Sequence, residues 1–264
     1  MGLRENTREI IKLVEKVSGI PVDVHQNEKL DGFATVTMSR KCGLPHHLIQ
    51  YKTLNNEAPD YLICFQCGYI LRLFQAPKEN RLDIYGTTQG KEEITNLLHK
   101  SGGIASKFRL NKNQTMEVAT QMQNGLIRHL RSIPVGLRIS QWLRDEYPLL
   151  QEYERTHVER EIKVNYQNFQ SEVKNITPAE IYQPTQLLSA AYALYWAEKF
   201  DEPKWANPYK LNGYAEGGIK LLNYLSGSSA EPEYDIDLIN TWGRILNIMN
   251  WYAFSPYEPF QGKL

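Results

Sequence analysis

The chain of 264 residues is predicted to be an α+β protein, with a small α/β head followed by a mainly helical body. Three observations predict it. Short runs that alternate polar and apolar residues, the period of a half-buried strand, are confined to the first fifty or so residues. A near-continuous apolar run, PDYLICFQCGYILRLF, follows at 59–74. From residue 116 onward, apolar side chains recur at helical spacing almost to the end. The boundary falls near residue 110, with 1–110 as the head and 111–264 as a helical region packed on it as one unit.

In order, Ile10, Ile11, Val14 and Val17 make a helical stripe over 7–17 that Gly19 ends. Residues 21–25 (PVDVH) and 33–38 (FATVTM) alternate as strands, and a third strand is expected around His47 to Tyr51. A loop, LNNEAP, leads to the apolar run. Pro59 and Asp60 suit a helix start, and Arg72 and Pro77 suit its end. Residues 81–85 are ambiguous. A short helix is expected over 91–100 and a loop over 101–105, with Gly102 and Gly103 in it. Further helices are expected at 116–131, at 135–147 opened by Pro134, and at 149–173. Three more follow at 187–200, 213–224 and 236–251. SGSSAEP, 226–232, reads as a flexible linker.

Lysine plus arginine and aspartate plus glutamate each total 30, so the formal net charge is zero. A nucleic-acid partner, which usually requires a basic excess, is therefore not expected. No stretch reaches the ~20 apolar residues that cross a bilayer, and the first residues lack a signal-peptide core. Asn6 stands where myristoylation wants Ser or Thr. Three cysteines fit a reducing compartment better than a disulfide framework, so a cytoplasmic protein is expected.

The run 60–73, DYLICFQCGYILRL, resembles the active helix of compact prokaryotic zincins, zinc metallopeptidases in which it reads DYLxxHECGHxLRL. Asp60, Tyr61, Leu62, Cys67, Gly68, Leu71, Arg72 and Leu73 match. The resemblance covers about the first hundred residues. It implies a zincin-like head in which His46 to Tyr51 form the edge strand that receives an extended peptide, so His46, His47, Ile49 and Tyr51 become peptide-groove candidates.

The zinc chemistry itself is missing from the matched positions. In HExxH, two histidines one turn apart bind zinc and the glutamate works on bound water. Here the segment is Phe65-Gln66-Cys67-Gly68-Tyr69. Phenylalanine has no lone pair to donate, glutamine cannot take the proton, and tyrosine ligates only as phenolate, at a reference pKa of ~10. The family's acidic third ligand falls in 134–142, where a P-x-D-x-R-x-E pattern meets Gly136 and Ser140. A catalytically silent scaffold is expected, with no cofactor and the emptied site filled by Phe65 and Tyr69.

Cys42, His46, Cys64 and Cys67 could together make a structural Cys₃His zinc site, although Cys64 and Cys67 inside an apolar run read first as buried core. A thioredoxin-like role for this C-x-x-C would need it at a helix start. His129 is at most a stray ligand. The charged stretch 152–163, with Glu159 four before Lys163, reads as a solvated helix face. The tail 251–260 (WYAFSPYEPF) is either a packed arm or an aromatic anchor for another chain through Trp251, Tyr252, Phe254, Tyr257 and Phe260.

The function expected is that of a protein-interaction or regulatory component with an unidentified protein partner, in a prokaryotic or phage setting, by β-augmentation along His46 to Tyr51. The alternatives are a hydrolase with a rebuilt metal or cysteine site, and a structural subunit of a larger, defence-related assembly.

Overall fold

The computed structural model describes residues 3–53, 59–100 and 104–260; residues 54–58 of the loop LNNEAP and 101–103 of the loop expected over 101–105 lie outside these, whereas 104 and 105 open a short helix instead. The head comprises α1 (Glu5–Ser18), β1 (Val22–Gln26), β2 (Ala34–Thr37), β3 (His47–Tyr51), α2 (Asp60–Gln75), β4 (Leu82–Gly86), α3 (Thr88–His99) and α4 (Ile104–Lys107). The body comprises α5 (Lys112–Glu146), α6 (Gln151–Tyr166), α7 (Ser171–Ile176), α8 (Ala179–Lys199), α9 (Asn207–Leu211), α10 (Ala215–Gly227) and α11 (Asp235–Ile245), and the chain returns in β5 (Tyr252–Pro256). This is the expected α+β architecture with a mainly helical body. None of the helices is long and apolar enough to cross a membrane among the described residues.

The first sheet has the order β1-β3-β2, with β1 parallel and β2 antiparallel to β3. The strand expected at the edge is thus the central one, and its backbone groups face neighbours on both sides. His47 and Ile49 are buried, so a peptide cannot add there. Alternation identifies a strand but not its neighbours, because edge and centre differ in pairing rather than in period.

The apolar run folds as expected. In α2, Ile63, Cys64, Cys67, Ile70 and Leu71 are buried against α1, β3 and α5. Asp60 lies at the start of α2, where its carboxylate accepts from the Arg4 backbone N–H at 2.9 Å and from the Thr7 hydroxyl. That ties α1 to α2 and places the negative charge at the positive end of the helix dipole.

Several breaks read from proline are not breaks. Pro134 lies inside the 35-residue α5 and Pro184 inside α8. Each removes one backbone bond and perturbs one turn, and both are buried, so packing outweighs the local penalty. Conversely, the stretch 149–173 is divided after Tyr166 into α6 and α7.

The boundary at residue 110 does not partition the core. β5 pairs antiparallel with β4, from Leu82↔Pro256 to Gly86↔Tyr252, so the ambiguous stretch 81–85 is a strand whose partner comes from the far end of the chain. Trp251, Tyr252 and Tyr257 are buried. The tail is a packed arm in which Trp251, Tyr252 and Tyr257 are committed to the core, while Phe254 and Phe260 are half-buried. The supposed linker is also held in place: Ser226 and Gly227 end α10, and Ser228 Oγ accepts from Arg138 at 2.7 Å.

Candidate functional site

A groove of about 590 Å³ opens between β2, α2, α5 and α6, with Tyr192 of α8 at its far wall. Its floor is an aromatic column from α2. Tyr61, Phe65 and Tyr69 recur every four residues and therefore share one helix face. Ring centroids are 5.8 Å apart for Tyr61–Phe65 and 5.5 Å for Phe65–Tyr69.

α5 crosses this column at Gly136. A Cβ on Gly136 would stand 3.0 Å from Phe65 Cζ and 3.0 Å from the Tyr69 hydroxyl, closer than most such contacts. The three positions that the zincin comparison aligned with two histidines and an acidic ligand are thus brought together in space. They meet as two rings over a missing side chain. The Tyr69 hydroxyl donates to the Ser132 carbonyl at 2.8 Å, and burial pushes its pKa upward, so it stays a phenol. Ser140, at the other acidic place, lies 3.2 Å from the Tyr61 hydroxyl. Zinc takes imidazole nitrogen, thiolate or carboxylate. A phenyl carbon, an amide and an engaged phenol do not fit that ion.

The alternative Cys₃His site does not assemble. Cys42 is exposed, whereas Cys64 and Cys67 are buried in the core. His46 faces Asp23 at 3.4 Å, and no group of three His, Cys, Asp or Glu is placed to hold a metal among the described residues. Burial pushes the Cys64 thiol up to about 12 and that of Cys67 upward too, which disfavours the thiolate a nucleophile needs. His47 is a core residue: its Nδ1 accepts from the Ser39 N–H at 3.2 Å, its ring meets Phe74 edge-on, and burial lowers it to about 4.

The groove's own polar residues were largely unread from the sequence. His157 and Glu161 sit one turn apart on α6, in the stretch taken for a solvated face, and both line the groove. The ion pair Glu159–Lys163, 2.9 Å, does occupy the outer face. Their i, i+4 spacing was the available signal, but it does not say which side of a charged helix faces inward. Burial drops His157 to about 4, so it is a neutral imidazole, packed edge-on against Phe33. His129 also lines the groove, and its buried Nδ1 has no hydrogen-bond partner among the described residues. Arg128 and Arg131 complete one end and have no carboxylate partner among the described residues.

Burial alone pushes Glu161 up to about 7. The folded protein then holds this proton more tightly than the unfolded chain, so the contribution to stability is full below the ordinary value of 4.5 and is lost as pH rises through 7. Glu161→Gln is expected to flatten the fall in melting temperature between pH 5 and 8. An unchanged pH profile would show that Glu161 ionises normally.

β2 supplies the remaining wall, and it is an edge. The Lys52 N–H donates to the Phe33 carbonyl at 2.9 Å, so the antiparallel alternation turns Phe33, Thr35 and Thr37 toward β3 and leaves the N–H and C=O of Ala34 and Val36 pointing outward. An edge is therefore present beside the groove, but it is β2 and not the strand His46 to Tyr51 that was expected to be one. Compared with known proteins, the chain matches no family model, no curated protein and no solved structure.

Proposed function

We propose that this chain is a zincin-like scaffold without the catalytic metal centre, acting in a reducing cytoplasmic compartment by holding an extended segment of another protein in the groove along β2. The observation that carries it is the close junction of Phe65 and Tyr69 over Gly136, which offers no metal-ligating atom at the positions the resemblance aligns with two histidines and an acidic residue. Support for binding comes from the outward backbone groups of Ala34 and Val36 beside an aromatic floor, the arrangement that strand addition uses.

Two measurements test it. Elemental analysis of the purified protein is expected to give well under one zinc per chain, with no cleavage of casein that EDTA abolishes. Stoichiometric zinc lost on Tyr69→Phe, or EDTA-sensitive turnover, overturns the proposal. For the groove, Val36→Pro removes one outward N–H while β2 keeps its bonds to β3. It is expected to weaken capture of extended peptides selected from a random library by about tenfold, the worth of one well-made hydrogen bond.

A further inference from the structure

A second cavity, of about 560 Å³, lies on another flank of α2, between α5, α8, α10 and the strap 228–232. It shares no lining residue with the groove. Its inner end carries Arg72 and Arg138, whose side chains are only 12% and 6% exposed. Both guanidiniums turn to one carboxylate. Arg72 donates to the two oxygens of Asp235 at 2.7 Å each, and Arg138 Nη1 donates to Oδ1 at 3.1 Å. Arg72 Nη2 also reaches the Ala230 carbonyl at 2.8 Å, and Arg138 Nη2 reaches Ser228.

Two buried cations on one anion leave a positive charge over, and an uncompensated charge in such a place is costly. No second carboxylate pairs with either arginine among the described residues. Asp145, Glu146 and Glu231 line the cavity but are exposed. Along α5, Asp145 stands two turns from Arg138, roughly 10 Å at 1.5 Å per residue. Arg72 Nη1 and Arg138 Nε have no hydrogen-bond partner among the described residues, so donors remain for a further anion. Beyond the arginines the wall carries the apolar side chains of Leu71, Leu137, Trp142 and Leu225, with Gln75, Gln141 and Lys199 also lining the cavity.

We infer that this cavity binds a small amphipathic molecule, its oxyanion head on Arg72 and Arg138 and its short apolar tail along Leu71, Leu137, Trp142 and Leu225. The head neutralises the excess charge, and the guanidinium fork suits a carboxylate or a phosphate equally. The strap, held by Ser228 and Ala230, lines the same cavity.

Calorimetric titration of the full chain with octanoate and with octyl phosphate, both below their micelle thresholds, tests this. Saturable one-to-one binding of at least one is expected, and the tighter of the two identifies the head group. Arg138→Gln leaves Arg72 and Asp235 as a balanced pair, so the fold is retained and binding weakens by about tenfold or more, the scale of one charge-assisted hydrogen bond. Leu225→Trp fills the tail site and is expected to abolish binding, while Glu161→Gln in the other groove leaves it unchanged. No saturable binding of either compound overturns the inference. So does binding that survives Arg138→Gln undiminished or, should that variant fail to fold, survives Leu225→Trp.

Discussion

Arg144→Ala is expected to destabilise the protein by about 3–5 kcal/mol at neutral pH, the scale for breaking a buried pair by removing one partner. Arg144 Nε stands 2.6 Å from Glu154 Oε2, and the Glu154 side chain is only 1% exposed. The approach is charge against charge, without the alignment of a good hydrogen bond. The guanidinium also covers the rings of Phe200, at 4.5 Å, and Trp196, at 5.1 Å, so the substitution opens a gap as well. Burial pushes Glu154 up to about 7 even with Arg144 and the Tyr61 hydroxyl opposing it. Without Arg144 that opposition weakens and the carboxyl rises further. A raised carboxyl favours the folded state at low pH, so the deficit should be largest above pH 7 and shrink toward the ordinary value of 4.5, where the group is protonated in both states. Urea unfolding at pH 5 and pH 7.5 measures it. The double variant Arg144→Met, Glu154→Leu should recover most of the loss, since a well-packed apolar pair replaces a buried ionic one at little cost. A deficit below about 1 kcal/mol, the range of an exposed ion pair, would show that water reaches Glu154.

Removal of residues 252–264 is expected to have the larger effect and to leave no cooperative melt. Buried Tyr252 and Tyr257 each contribute about 2 kcal/mol through burial, and the β4 pairing adds to this, so the total approaches the 5–15 kcal/mol that holds a typical domain together. The arm also fastens distant parts of the head. The Tyr257 N–H donates to the Arg81 carbonyl at 2.8 Å, its hydroxyl donates to the Ser39 carbonyl at 2.5 Å, and the Lys41 N–H donates to the Glu258 carbonyl at 3.0 Å. Its ring packs edge-on against Phe74 at the end of α2. Just before the arm, the Gln123 amide of α5 donates to the carbonyls of Thr87 and Trp251, at 2.9 and 2.8 Å. Phe254→Ala, at a half-buried position, should by contrast shift the melting temperature only slightly. A truncated chain that stays soluble and melts within a few degrees of the full chain would contradict the packed arm and restore the tail as a surface for other proteins.

Local patterns made the elements legible. The apolar run became α2 within a residue or two, and the stripe of Ile10, Val14 and Val17 became α1. The groove's lining was not legible. His157 and Glu161 were hidden in a charged helix whose inward side is chosen by whatever packs on it.

The amino-acid order by itself determined the α+β class and the apolar spine, since period, propensity and side-chain chemistry are properties of neighbours along the chain. The tertiary structure alone decided that β3 is central and β2 the edge, that β5 returns to β4, and that Arg72 and Arg138 converge on Asp235. Each of these joins residues far apart in the chain, and which of many such pairings wins is settled by packing of the whole core rather than by any local pattern.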